Sequence, residues 1–404
     1  MSKTWLLIFV SFLLFGGVAF AVDLDGDGLS DSTEASLGSS PLHKDIFVEI
    51  DWFIVNGRSM KPRPGFVEFV QSVFAAAPVL NPDGTQGIRI HVELSQGIRT
   101  NQAVLGYSAT NSSDTYNWGQ FDAYKSLYFT PWKRSTHHYC LFVADYGDQN
   151  GKATRSSGIS RNPDNFVAGA SDFIVSLGSG PDSDGHKGWY NQPTPGRYKY
   201  TQAGTFVHEL GHNLGLRHGG PDHVNYKPNL LSVMNYSFQT DGVPYTRRDG
   251  VRFRIFDYSR FYLPALNESN LNEAAGLGPF ASDSFGNYGT TYYFEKPDKH
   301  HDTLDSWDAT RSVDWNKDGR ISPSVRSEIN ADKKLTVLRS IQQWRELVFT
   351  GGWIGKSGLS ASSALPSETR MRCMRPADRL KQKMSIADAD ANVRYGTYAD
   401  IFKK

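Results

Sequence analysis

Short apolar runs alternate with amphipathic stretches along the first half of the chain. Residues 45–53 (DIFVEIDWF) are apolar and β-branched enough for a core strand, and residues 88–94 (IRIHVEL) alternate as strand residues do. Between them, residues 64–77 (PGFVEFVQSVFAAA) carry apolar side chains at helical spacing behind a proline. A strand, a helix and a strand in this order predict a βαβ unit within a mostly parallel sheet.

The pattern predicts further elements along the rest of the chain. These are strands at 139–144, 157–160 and 172–177, a helix at 118–128, a Gly/Pro-rich loop at 178–204, helices at 205–214, 268–275 and 336–349, and a Gly/Ser-rich linker at 351–367. His91 falls on the alternation of the second strand, which favours a hydrogen-bonded sheet histidine over a metal ligand. Strands and helices in alternation indicate an α/β (α+β) protein.

One stretch, HELGHNLGLRH at 208–218, carries histidines at metal-ligand spacing. His208 and His212 are four residues apart, so they share one face of a helix and can bind one ion. A continued helix would take His218 out of reach, but Gly215 can adopt the positive φ that ends a helix, and His218 can then return from a loop. Three neutral imidazoles leave a fourth zinc position for water, and Glu209 is placed to accept a proton from that water.

The stretch and the downstream Ser232-Val233-Met234-Asn235-Tyr236 together resemble the metzincin zinc endopeptidases, in which a methionine turn lies beneath the metal. The resemblance implies a zincin fold: a mixed, mostly parallel sheet with an antiparallel edge strand, an active-site helix, and a more irregular C-terminal subdomain with the Met-turn. It makes Met234 the structural methionine and 158–160 the edge strand that pairs with extended substrate. Tyr236 is either an oxyanion-stabilising tyrosine or a core tyrosine. Gly219 after the third histidine leaves the subfamily open.

The first 21 residues predict export. They contain one positive charge at Lys3, an apolar run over 5–18 and the small-x-small site Ala19-Phe20-Ala21, which is typical of a signal peptide cleaved after Ala21. The predicted division of the chain is a signal peptide at 1–21, a calcium-binding segment at 22–45, a metzincin-like catalytic domain at 46–310 with subdomains 46–215 and 216–310, and a C-terminal region at 311–404.

An acidic loop, DLDGDGLSDSTE at 23–34, directly follows the predicted cleavage site. Its carboxylates fall at loop positions 1, 3, 5, 9 and 12, with glycine at 6 and a backbone carbonyl at 7, as in the twelve-residue calcium loop. The predicted ligands are Asp23, Asp25, Asp27, Leu29 through its carbonyl, Asp31 and Glu34. No entering helix fits before the loop, so the segment resembles the calcium repeats of thrombospondin type 3. A solvated acidic turn is the alternative.

A second acidic loop at 314–322 (DWNKDGRIS) matches the calcium pattern in part. Its candidate ligands are Asp314, Asn316, Asp318 and Arg320, the last through its carbonyl. Position 12 is Val325, so the bidentate carboxylate of a calcium loop is missing. The candidates to replace it are Glu328, Asn330 and Asp332. Calcium and a plain acidic turn both remain open here.

The charge balance limits the kinds of molecule that the mature protein is expected to bind. Removing the signal takes away Lys3, one of 43 basic residues, which leaves 42 basic residues against 42 acidic ones. Balanced charge gives no argument for binding to nucleic acid or to a membrane surface, and no second apolar run is long enough to span a bilayer.

The two cysteines, Cys140 and Cys373, could form a disulfide, or Cys140 could be a buried thiol within its apolar run.

These patterns together predict a secreted zinc endopeptidase that acts on proteins or peptides, with Zn²⁺ at the three histidines and Ca²⁺ in the acidic loop. The alternative is a calcium-organised binding or adhesion protein on a catalytically inactive metzincin scaffold. That alternative predicts the loss of a catalytic residue, and the motif at 208–218 has lost none. Cleavage specificity and oligomeric state are left open by the sequence.

Overall fold

The computed structural model describes residues 22–106, 118–147, 151–161, 172–178, 195–296, 301–349 and 393–402. The predicted signal peptide, the predicted linker and Cys373 lie outside these residues. Within the described ranges, no helix has both the length and the apolar character needed to cross a membrane.

The described residues form a mixed α/β fold. The α-helices are α1 (Asp31–Leu37), α2 (Phe66–Ala75), α3 (Gly119–Tyr128) and α4 (Pro195–Asn213), and 3-10 turns lie at Pro131–Ser135, Gln343–Arg345 and Tyr398–Phe402. The strands of the first half are β1 (Asp45–Val55), β2 (Arg58–Ser59), β3 (Arg89–Thr100), β4 (Val104–Leu105), β5 (His137–Phe142), β6 (Asp145–Tyr146), β7 (Gly158–Ser160) and β8 (Asp172–Val175). Those of the second half are β9 (Val243–Arg247), β10 (Arg252–Ile255), β11 (Leu266–Asn267), β12 (Gly286–Tyr288), β13 (Thr290–Glu295), β14 (His301–Ser306), β15 (Val337–Leu338) and β16 (Val393–Gly396).

A six-stranded sheet forms the centre of the first half. Its strand order is β2-β1-β5-β8-β7, with β3 also paired to β1. The strands β1, β3, β5 and β8 run parallel, whereas β7 is antiparallel to β8 and lies at the end of the strand order. The predicted βαβ unit is confirmed, because α2 lies between the parallel strands β1 and β3 in the chain.

Two helices build the apolar core on this sheet. The buried residues of α2 are those that its helical spacing predicts, namely Phe66, Phe69, Val70, Val73 and Phe74. Helix α4 packs against α2, β7 and β8. Phe206 of α4 lies between Phe66 and Phe173, with ring centroids 5.3 and 5.2 Å away in edge-to-face arrangements that favour aromatic pairs. This packing fixes the position of α4 on the sheet.

The second half has its own core around Trp315, which is fully buried. A four-stranded sheet of order β12-β9-β10-β16 lies there, and its last strand, near the C-terminus, pairs parallel with β10. The core joins residues from both sides of position 310, such as Tyr245 and Phe253 with Trp315 and Leu338. The described parts of the C-terminal region therefore pack into the same core as the preceding strands.

The helix that carries the histidines is longer than predicted, because α4 begins at Pro195 and not at 205. Residues 195–204, predicted as loop, are polar but turn several side chains inward. Tyr198 donates a hydrogen bond of 2.6 Å to the Leu177 carbonyl, and Gln202 accepts one of 3.0 Å from the Arg63 backbone. Hydrogen-bonded polar side chains share this buried face with apolar contacts of Tyr198 and Ala203, so the hydrophobic periodicity is weak.

Two other predicted helices are wrong. Residues 268–275 form turns, because the buried Glu268 accepts hydrogen bonds from the backbone N–H groups of Ile329 and Thr336, both 2.8 Å long. Residues 336–349 contain the short strand β15, paired with β11, and a 3-10 turn. Contacts with sequence-distant backbone override the local helical pattern in both segments.

Two residues with open interpretations lie on the central sheet. The ring of His91 stacks on Phe47 at 4.2 Å and hydrogen-bonds the carboxylate of Asp45, as expected of a satisfied sheet histidine. Cys140 is a free, fully buried thiol of β5, and burial raises its pKa well above the usual range. The structure thus agrees with the buried-thiol interpretation of Cys140.

Phe206→Ala should lower the free energy of unfolding by about 3–5 kcal/mol, because it removes a buried ring from between two others and leaves a cavity. Urea denaturation followed by tryptophan fluorescence measures the change. Phe280→Ala is the matched control, since Phe280 is 66% exposed and should cost little. Equal losses in the two variants would contradict this account of the core.

Candidate metal centre

Three histidine side chains meet at the C-terminal end of α4. His208 and His212 lie on the helix, and His218 follows in the loop after it. Their Nε2 atoms are 3.1 Å apart for His208 and His212, 3.0 Å for His212 and His218, and 3.2 Å for His208 and His218. All three residues are buried. The structure therefore brings the three predicted ligands to one point.

The turn that returns His218 is a Schellman cap. Gly215 has φ of +87°, its N–H donates to the His212 carbonyl at 3.0 Å, and the Leu216 N–H donates to the Gly211 carbonyl at 2.8 Å. A side chain at Gly215 would be strained in this left-handed conformation. The helix therefore ends where the third histidine needs it to end, as the sequence predicts.

The ring nitrogens are arranged to bind a cation. The Nδ1–H of His208 donates to the Val233 carbonyl at 2.7 Å, and that of His212 to the Leu216 carbonyl at 2.8 Å, which leaves each Nε2 unprotonated. Burial lowers the pKa of His212 to about 4 and the pKa values of His208 and His218 well below the usual range, so a bridging proton is disfavoured. Tetrahedral zinc with Zn–N bonds of 2.0–2.1 Å needs nitrogens roughly 3.3 Å apart, which the triad fits.

Glu209 is fully buried and faces the edge strand of the sheet. A Cβ atom added at Gly158 of β7 would collide with the Glu209 carboxylate and with the Ile174 carbonyl. Only glycine at this position leaves room for the carboxylate. The structure thus places the predicted base against the strand 158–160, a contact that no local sequence signal could have indicated.

Asn213, the last residue of α4, ties the helix end to the sheet. Its Nδ2 donates to Ser160 Oγ at 2.6 Å, to the Arg161 carbonyl at 3.1 Å and to the Asp172 carbonyl at 3.3 Å. Asn213 is buried and follows the second histidine directly. Sequence reasoning missed this residue because it occupies a variable position of the motif.

Met234 lies directly under the helix. Its Sδ is so close to Gly211, between the two helical histidines, that a Cβ there would collide with it. The Met234 side chain is fully buried. The turn is held by Asn235, whose Nδ2 donates to the Lys227 carbonyl at 2.8 Å and to the Leu230 carbonyl at 3.1 Å. The methionine therefore supports the helix between His208 and His212.

Tyr236 lies beside the histidines. Its ring centroid is 4.5 Å from that of His218 and 5.8 Å from that of His208. Its backbone N–H donates to Asn225 Oδ1 at 3.0 Å, which positions the residue. The Tyr236 side chain is only half-buried. Tyr236 also packs against the apolar core, so its placement beside the histidines leaves both predicted roles open.

The first acidic loop folds around its own carboxylates. Asp23 accepts hydrogen bonds from the backbone N–H groups of Gly26 and Gly28, and the N–H of Leu29 donates to Asp27. One carboxylate oxygen each of Asp23, Asp25 and Asp27 lies within 4.8 Å of the others, and the same holds for Asp27, Glu34 and Asp45. Asp31 instead accepts a hydrogen bond from the Leu24 backbone at 3.0 Å. The structure adds Asp45, a residue of β1, to the predicted set.

Burial and mutual repulsion affect the carboxylic acids of this loop. Burial, reinforced by neighbouring carboxylates, raises the pKa of Glu34 to about 8, and burial raises that of Asp27 to about 6. For Asp25 the rise through burial is opposed in part by Lys44. Burial therefore favours the neutral, protonated form of these acids over the charged form.

The second acidic loop is arranged differently. Asp314 accepts hydrogen bonds from the N–H groups of Asp318 and Gly319, and Asp318 accepts one from Arg320. Among described residues, its carboxylates form no group of three with ligand atoms within 4.8 Å. The acid beside it is the buried Glu273, which binds the backbone N–H groups of Asn316 and Ser322. Calcium in this loop stays a prediction.

The candidates for its missing ligand, Glu328, Asn330 and Asp332, are joined to one another by hydrogen bonds. The backbone N–H groups of Asn330 and Asp332 donate to Glu328, at 3.2 and 2.8 Å, and form a turn of their own. The sequence pointed to these residues because they follow the loop closely in the chain. It missed Glu273, which is distant in sequence and adjacent in space.

No protein-family model and no curated protein matches the chain.

His218→Ala should weaken zinc binding at least 100-fold, because it removes one of three converging nitrogen ligands. Competition with a chromophoric chelator and elemental analysis of the purified protein measure the affinity and the zinc content. His223→Ala is the control, since His223 is exposed in the neighbouring loop and should leave zinc bound. Equal zinc affinity in the two variants would show that the triad is not the site.

Proposed function

We propose that this protein is a zinc-dependent endopeptidase of the metzincin kind, exported through residues 1–21, with the catalytic domain at 46–310. The single observation that carries the proposal is the convergence of three histidine Nε2 atoms next to a buried Glu209, itself packed on an edge strand. A structural zinc site would be closed by a fourth protein ligand, whereas three histidines leave a position for water.

Each residue of the site would have a separate role in peptide-bond hydrolysis. His208, His212 and His218 would hold zinc, which when bound supplies a Lewis acid and lowers the pKa of water to about 7. Glu209 would accept the proton of the attacking water and pass it to the leaving amide nitrogen. Tyr236 would donate a hydrogen bond to the developing oxyanion from beside His218.

Strand β7 would bind the substrate backbone. An extended peptide can add to an exposed strand edge through main-chain hydrogen bonds, which do not depend on its side chains. Gly158 lies on that strand and contacts the carboxylate of Glu209, so a peptide bound along the strand would place its backbone next to the base.

We also propose that the first acidic loop binds calcium, because its clustered carboxylates offer the oxygen ligands that this ion prefers.

Glu209→Gln should lower kcat by 10²- to 10⁴-fold and keep zinc, because it removes a base without removing a metal ligand. Cleavage of casein and of a peptide library gives the readout, with wild-type protein, chelated protein and zinc-restored protein in parallel. Glu68→Gln on the exposed face of α2 is the matched control. Zinc-bound wild-type protein that cuts nothing would favour the binding-protein alternative.

Gly158→Ala should reduce kcat at least tenfold with zinc retained, because the new methyl group displaces the Glu209 carboxylate. Ile159→Ala, on the next residue of the same strand, should leave kcat nearly unchanged. Steady-state kinetics on a fluorogenic peptide would separate kcat from KM. An unchanged kcat in Gly158→Ala would refute the proposed contact between strand and base.

A further inference from the structure

A buried glutamate without partners lies between the N-terminal loop and the central sheet. Glu34 has 0% exposure, and within the part of the chain that the structure describes neither of its carboxylate oxygens has a hydrogen-bond partner. One oxygen of Asp25 and one of Asp45 are also buried without a partner. Buried carboxylate oxygens without partners are costly, so each needs an explanation.

Two groups of carboxylates meet at Asp27. Ligand atoms of Asp27, Glu34 and Asp45 lie within 4.8 Å of one another, and Asp27 also belongs to the group formed with Asp23 and Asp25. Five carboxylates therefore form two adjoining groups with one shared member. His91 binds the other oxygen of Asp45, and the positive charge of Lys44 acts on Asp25.

Asp45 differs from the other four acids because it belongs to the sheet. It is the first residue of β1, and its backbone N–H donates to Asp27 Oδ2 at 2.7 Å. The calcium-loop pattern ends at Glu34, so it contains no place for Asp45. The carboxylates thus come from both the N-terminal segment and the edge of the catalytic fold.

Resting on the calcium binding proposed above for the acidic loop, we propose that one calcium ion binds between this loop and Asp45, and that it fastens the segment 22–38 to the central sheet. Calcium suits the site because it takes six to eight oxygen ligands in flexible geometry, whereas magnesium keeps several waters and uses one or two carboxylates. Without the ion, the cost of burying carboxyl oxygens that have no partner loosens the segment. With the ion, the loop and the start of β1 become one unit.

Calcium titration of the mature chain tests this proposal. Isothermal calorimetry on Glu209→Gln protein avoids self-cleavage and makes the outcome independent of peptidase activity. Asp45→Asn in that background should weaken the tight binding step at least tenfold. His91→Ala removes the hydrogen bond to Asp45 and keeps the carboxylate, so it should bind calcium as before. Asp318→Asn, in the second loop, should also leave the tight step intact.

Hydrogen exchange on Glu209→Gln protein that keeps Asp45 gives a second readout. This readout does not require the Asp45→Asn variant to fold. Calcium chloride, compared with magnesium chloride, should slow amide exchange in 23–37 and in 45–47 together. Unchanged affinity in Asp45→Asn would overturn the proposal. So would protection of 23–37 without 45–47, or no effect of calcium on the protein.

Discussion

Three imidazole nitrogens of buried histidines lie 3.0–3.2 Å apart, close to the spacing of nitrogen ligands around one zinc ion. Such an arrangement persists only if the surrounding fold holds each ring in place. Carbonyl groups of Val233 and Leu216 orient two of the rings, and the cap at Gly215 returns the third. Met234 below and Asn213 beside them join this site to both halves of the fold.

The N-terminal acidic cluster resembles the histidine site, because potential metal-ligand atoms converge in both. The converging atoms are carboxylate oxygens in the first and imidazole nitrogens in the second. Buried lone pairs face one another, and the protein supplies few donors to satisfy them. Both clusters lie where one part of the chain meets another: helix and loop at the histidines, segment and sheet at the carboxylates. Binding of a cation at such a junction would add to the stability of the folded state, because the unfolded chain does not assemble the ligands.

Much of the secondary structure of the first half could be predicted, because the hydrophobic pattern of each element matches the face that the fold buries. The apolar strands β1, β5 and β8 and the amphipathic helix α2 bury the residues that their periodicity selects. Prediction failed where polar side chains face inward. Residues 195–204 are helical with hydrogen-bonded polar side chains, and Glu268 holds its segment in turns through distant backbone groups. Neither effect leaves a periodic pattern in the sequence.

The sequence by itself determined the three histidines, the glycine that ends their helix and the acidic residues of the first loop, because spacing along one helix or one loop specifies which side chains can converge. Only the tertiary structure decided that Gly158 packs on Glu209, that Asp45 joins the N-terminal carboxylates and that Glu273 lies beside the second loop. These pairs are far apart in the chain. Their proximity follows from strand order and helix packing, which depend on the whole core.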